Sequence, residues 1–231
     1  MANQGDLPAE LWTLVFEHAT HFPRRMGDLV TVRAVCRHWR NAAAPLVEKV
    51  PLSAVPIRDC LNSVSRTEWL LSHHPQKWWE KKFGERLLAE AAKVGNLAVV
   101  QLLKERGHRW NEWTCAKAAR NGHLKILQWA RDCSIHEQPC PWNEWTCADA
   151  ALGGHLEVLK WLRSHGDLSC PWDEWTCTYA AGNGHLEVLK WLRDETLHVS
   201  TCPWNQVRCL HWAQENNRTA IVDWITAQGS D

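Results

Sequence analysis

Phenylalanine and tyrosine are nearly missing from this 231-residue chain, which has three Phe and one Tyr against 17 Trp. Aromatic packing must therefore be tryptophan packing, so the Trp positions carry much of the information. Net charge is missing too, with 26 basic residues balancing 26 acidic ones. Nucleic acid and anionic membranes select a basic surface, so composition argues for neither. No run of eighteen apolar residues occurs, which leaves no helix to span a bilayer. The opening MANQGDLPAELW has no basic stretch followed by an apolar one and does not read as a signal peptide. The expectation is a cytoplasmic or nuclear chain whose thiols stay reduced. Its ten cysteines then read as small buried hydrophobes rather than a disulfide framework.

What is present is a repeat. CPWNEWTCADAALGGHLEVLKWLR (140–163) returns thirty residues later as CPWDEWTCTYAAGNGHLEVLKWLR (170–193), and from Trp142 and Trp172 onward 17 of 22 positions are identical. Trp110, Trp142, Trp172 and Trp204 head four units spaced 32, 30 and 32 residues apart. Three residues on stand Trp113, Trp145, Trp175 and Val207, and then Cys115, Cys147, Cys177 and Cys209. Gly-His recurs at 122–123, 154–155 and 184–185, and an apolar run carrying Trp129, Trp161, Trp191 or Trp224 closes each unit. FGERLLAEAAKVGNLAVVQLL (83–103) fits the same frame, with Phe83 in the first Trp slot and Gly95-Asn96 for Gly-His; EWLLSHHP (68–75) echoes KWLRSHG. A fixed period near thirty residues signals stacked units, none of which can bury its apolar face alone.

Each unit reads as two helices. Trp145–Leu152, rich in small residues, makes a slim first helix, and Gly153-Gly154 supplies a tight turn. HLEVLKWLR sets apolar Leu156, Val158, Leu159, Trp161 and Leu162 against polar Glu157, Lys160 and Arg163. So broad an apolar face suits a helix with a neighbour on either side. Proline in the CPWNE links ends the helices and favours an extended connection.

W-T-C-A-x-A-A-x-x-G-H-L-E-V-L-K-W-L resembles the ankyrin repeat, matching its two alanines and its Gly-His residue for residue over roughly 58–228. Residues 1–50 share nothing with the repeat. LPAELWTLVFEHA…DLVTVRAVCRHWR instead resembles the F-box, with Asp6 and Asp28 placed to cap its helices. Together the resemblances imply an all-α protein: an N-terminal three-helix F-box module, then an ankyrin-type helix-turn-helix solenoid of about five repeats. The expected division is an F-box at 1–50, a linker with a degenerate half-repeat at 51–82, and repeats at 83–109, 110–141, 142–171, 172–203 and 204–231. The last is a cap, with Asn216-Asn217-Arg218 replacing Gly-His-Leu. The Trp-rich repeat style is similar to arrays in large DNA viruses and protists, which would put the chain in a host cytoplasm if viral.

The F-box resemblance implies docking on the Skp adaptor of a cullin–RING ubiquitin ligase through Leu7, Pro8 and Leu11. Phe16, Val35, Cys36 and Trp39 would form the shared core beneath. No catalytic residue is expected, because His123, His155 and His185 recur as a ladder rather than converging with unlike groups on a cleft. In an ankyrin unit that His bonds backbone at the turn. No metal or cofactor is expected either, since Cys140/Cys147, Cys170/Cys177 and Cys202/Cys209 place one thiol in a link and one in a helix, without the close spacing zinc favours. Trp129, Trp161, Trp191 and Trp224 read as core. Trp110, Trp142, Trp172 and Trp204 read either as packing or as an aromatic binding comb. Candidate target contacts are those four, plus positions that vary within the repeated frame: Lys117, Arg120, Asp149, Leu152, Tyr179, Asn183 and His211. The functional expectation is a substrate-receptor subunit of an SCF-type (Skp–cullin–F-box) E3 ligase that is monomeric outside its complex. Its rival is a non-degradative scaffold or decoy that binds its target or sequesters the adaptor.

Overall fold

The computed structural model describes residues 61–73, 86–165, 168–194, 196 and 201–228. Among them are eleven helices and no strand. The chain divides into two units, Met1–Trp78 and Trp79–Asp231. In the first, helix α1 (Val64–His73) follows Leu61, which is buried, and Thr67 sends its hydroxyl to the Ser63 carbonyl at 2.9 Å.

The second unit is a series of helix pairs: α2 (Leu87–Val94) with α3 (Leu97–Glu105), α4 (Glu112–Arg120) with α5 (Leu124–Arg131), α6 (Glu144–Leu152) with α7 (Leu156–Arg163), α8 (Glu174–Asn183) with α9 (Leu186–Arg193), and α10 (Gln206–Glu215) with α11 (Thr219–Gln228). First helices stack on first helices in order along the series, and each packs on its own second helix. The reason lies in the small residues. Ala118, Ala119, Ala150, Ala151, Ala180 and Ala181 are fully buried, so neighbouring first helices approach closely. The apolar side of each second helix closes the core through Ile126 and Leu127, Val158, Leu159 and Leu162, then Val188, Leu189 and Leu192.

The Asn/Asp-Glu-Trp-Thr sequence starts the first helices α4, α6 and α8. Asn143 takes the N-cap and its backbone N–H donates to the Thr146 hydroxyl, 3.4 Å away, at the third helical position. Asp173 instead accepts from the Trp175 amide at 3.0 Å, and Asn205 from Arg208 at 3.0 Å. Glu144 and Glu174 fall in the first turn, where the helix dipole favours negative charge. The Cys-Pro-Trp links end the second helices by returning to them: the amides of Cys140, Cys170 and Cys202 donate to the carbonyls of Ala130, Leu162 and Leu192. Helix-end carbonyls that would otherwise lack a partner are thereby satisfied.

The second-helix tryptophans depart from the expectation of a core position. Trp129, Trp161, Trp191 and Trp224 are half-buried, and each meets the heading Trp of its own unit. Trp142 and Trp161 cross edge to face at 5.9 Å. Over the Trp142 ring lies the Arg131 guanidinium from the preceding unit, 3.9 Å from the ring centre. Arg163 on Trp172 (4.0 Å) and Arg193 on Trp204 (4.8 Å) repeat the arrangement. Each arginine also donates to the carbonyl of the intervening link, at Cys140, Cys170 or Cys202. An indole is too long to bury at this slot, so it lies at the core's edge and packs against the next aromatic ring.

The histidines also act between units. His155 reaches back to the Arg120 carbonyl at 3.1 Å, as His123 does to Lys93 and His185 to Leu152. The expectation of a backbone bond at the turn is met one unit earlier in the chain. In the last unit the alignment slips by one from the expected Asn216-Asn217-Arg218 for Gly-His-Leu: Arg218, not Asn217, holds the His slot, and its Nε donates to the Gly182 carbonyl at 3.3 Å. Asn217 takes the glycine's place before it with a φ of 56°, a conformation Asn tolerates better than most residues.

Candidate functional site

The varying positions lie on the first helices and their ends, and the structure brings some of them together. Lys117 and Arg120 of α4 face Asp149 of α6, which is buried, with the Arg120 guanidinium 3.9 Å from its carboxylate. Burial pushes the Asp149 carboxyl above its usual range, and the two cations partly oppose that shift. Tyr179 of α8 packs against Trp175 (5.7 Å) and Trp212 (6.2 Å), which also meet each other at 6.5 Å. Asn183 is used locally, its amide donating to the Tyr179 carbonyl at 2.9 Å, and the Leu152 carbonyl is held by His185. His211 is exposed on α10.

The heading tryptophans are placed apart from this group. Trp110, Trp142, Trp172 and Trp204 are half-buried against second-helix tryptophans and covered by Lys104, Arg131, Arg163 and Arg193. Their rings already hold a cation from this chain.

The exposed aromatic row is instead built on Trp113, Trp145 and Trp175, three residues after the heading tryptophans of the middle units and outside the expected target contacts. Trp113 is 44% exposed, Trp145 39% and, farther along α10, Trp212 37%. Trp175 is half-buried in the same row. Trp113, Trp145 and Trp175 carry a signal: each stands at the second position of a first helix and four residues before a varying one, Lys117, Asp149 or Tyr179. Residues four apart share a helix face.

The thiols form part of the frame. Cys115 and Cys147 donate to the carbonyls of Cys140 and Cys170, while the Cys140, Cys170 and Cys202 thiols donate to Asn111, Asn143 and Asp173. The Cys115 thiol is pushed far up by its hydrogen bond to Cys140 together with burial, and Cys209 is pushed up to about 11 chiefly by burial. Such thiols stay protonated and unreactive. Among the described residues no three His, Cys, Asp or Glu side chains gather as metal ligands would. No helix among them is long and apolar enough to cross a membrane.

Residues 147–231 match the family model for ankyrin repeats, in three copies. This stretch is therefore a module of the protein–protein interaction class, a class that is typically non-enzymatic. A search of curated proteins returned no match. The adaptor-contact residues expected from the N-terminal sequence, Leu7, Pro8, Leu11, Phe16, Val35, Cys36 and Trp39, lie outside the described residues, as does Phe83.

Proposed function

We propose that this chain is the substrate-receptor subunit of an SCF-type E3 ubiquitin ligase. Its repeats hold a target protein, and residues 1–50 dock on the Skp adaptor and through it on the cullin. The observation that carries target binding is the row of exposed first-helix tryptophans flanked by non-repeating charged residues. Large, rigid aromatic surface of this kind is what interface hot spots use. The ligase half of the proposal rests on the N-terminal sequence LPAELW…VRAVCRHW. In such an assembly the chain performs no chemistry; it raises the effective concentration of the target near the charged conjugating enzyme.

The test is co-purification of the full chain with a eukaryotic Skp adaptor, comparing the wild type with Leu7→Ala/Pro8→Ala. Circular dichroism serves to verify that both are folded. The expected result is capture by the wild type and its loss in a folded double variant. A folded wild type that captures no adaptor from several hosts overturns the ligase role and leaves an interaction scaffold. If capture succeeds, a target whose abundance rises when cullin neddylation is inhibited separates a degradative receptor from a decoy.

A further inference from the structure

Three tryptophans occupy equivalent places on consecutive first helices, and the chain treats them differently. Trp175 is covered: the Arg208 guanidinium of the following helix lies 4.7 Å from its ring centre. The same guanidinium pairs at 2.8 Å with Glu174, the residue just before that Trp. Trp113 has its own helix's Lys117 at 5.9 Å. Trp145 is preceded by Glu144 just as Trp175 is by Glu174, yet among the described residues no cation lies over its ring.

The cause is a single substitution within the repeat. Arg208 stands at the third position of α10, which stacks on α8; the third position of α8, which stacks on α6 in turn, is Thr176. Threonine is too short to reach the indole. Thr176 is itself fully buried, and Trp145 keeps a broad open face. The charge around that face is acidic. Asp149 lies one turn on, on the same side of α6. Asp173 is close enough for Glu144 to contribute to the upward shift of its carboxyl, a shift due first to burial. Lys117 and Arg120 are the cations that face Asp149, from α4.

We infer that the face of Trp145 beside Glu144 takes the guanidinium of an arginine carried by the partner protein, in the arrangement that Arg208 adopts on Trp175 and Glu174. The chain thus displays, one unit along, the occupant that its own open site lacks. A planar guanidinium suits both halves, stacking on the indole and donating to the carboxylate. This deepens the reading of the repeats as a protein-binding surface and rests on it.

The full chain, labelled with nitrogen-15 at its tryptophan indoles, would be titrated with acetyl-Gly-Ser-Arg-Gly-Ser-amide. The same peptide with norleucine for arginine is the control, and Trp145→Phe assigns the signal. The arginine peptide should shift the Trp145 resonance saturably, and Glu144→Gln should weaken the effect about threefold, the size of one exposed ion pair. Arg208→Ala should open the equivalent place, so that Trp175 shifts as well. In Thr176→Arg the chain should fill its own site and abolish the response. If that variant does not fold, Glu144→Gln and Arg208→Ala still decide. An unmoved Trp145 signal, an equal shift with norleucine, or no new shift in Arg208→Ala overturns the inference. Adaptor capture does not involve Trp145, so a chain that captures the adaptor but ignores the arginine peptide loses this inference alone.

Discussion

His155 joins two units through two contacts. Its ring donates to the Arg120 carbonyl, and it lies so close to Gly122 that a Cβ there would come within 2.7 Å of the ring. Gly122 also holds a φ of 75°, where any other L-residue is strained. Gly122→Ala combines that strain with a collision and should cost about 3 kcal/mol. His155→Ala loses one hydrogen bond whose carbonyl water can reach, for about 1 kcal/mol. Urea midpoints rank the two. The ring also titrates: burial holds its pKa below the ordinary 6.5, against the raising effect of its bond to Arg120, with His123 and His185 adding to the depression. The folded state therefore prefers neutral imidazole. Its contribution is complete above pH 6.5 and falls as the pH drops from there through the folded value. Wild type should lose more stability between pH 7.5 and 5.5 than His155→Ala does, and equal losses would show that the ring does not titrate on folding.

At the level of the element, the second helix shows what a repeat discloses and what it hides. Its span, its buried Val158, Leu159 and Leu162, and the Glu157–Lys160 pair at 2.7 Å are legible from one unit's periodicity. So is the first helix, where only the inclusion of Glu144 was missed. The cross-unit contacts are not legible, because Arg131 and Trp142, or His155 and Gly122, meet only after the units stack. The same limit misplaced the tryptophans: periodicity assigns Trp161 to the apolar stripe but cannot show that Trp142 meets it at the edge, nor that Trp145 faces outward. Arg163 makes the cost of this measurable. It donates to the Cys170 carbonyl at 2.6 Å while stacking on Trp172. Lysine keeps the charge but not the plane or the fork. Arg163→Lys should therefore destabilise by about 1 kcal/mol, read as a lower urea midpoint with the m-value unchanged. A midpoint at the wild-type value would mean that charge alone suffices there.

For the whole molecule, every junction from α4 onward is built from the same parts: a His or Arg reaching back to a carbonyl, a cation on the next Trp, and a thiol on a link. Stability in such a stack is a sum over units and nearest-neighbour junctions. Interchangeable junctions imply that a unit can be removed. Deleting residues 142–171 joins Cys140-Pro141 directly to Trp172, which restores the sequence Cys-Pro-Trp-Asp-Glu-Trp. Arg131 then meets Trp172 where it had met Trp142, and His185 finds Gly122 and the Arg120 carbonyl where His155 had been. Arg120 loses Asp149, but that contact is long and the arginine largely exposed, so little is lost with it. The shortened chain should fold, unfold in one transition, and show an m-value roughly an eighth lower, because less surface is exposed on unfolding. It should also have lost the arginine response with Trp145, while adaptor capture through residues 1–50 persists. A deletion that leaves the chain unfolded would mean that the junctions, alike as they are in contact, are not alike in shape.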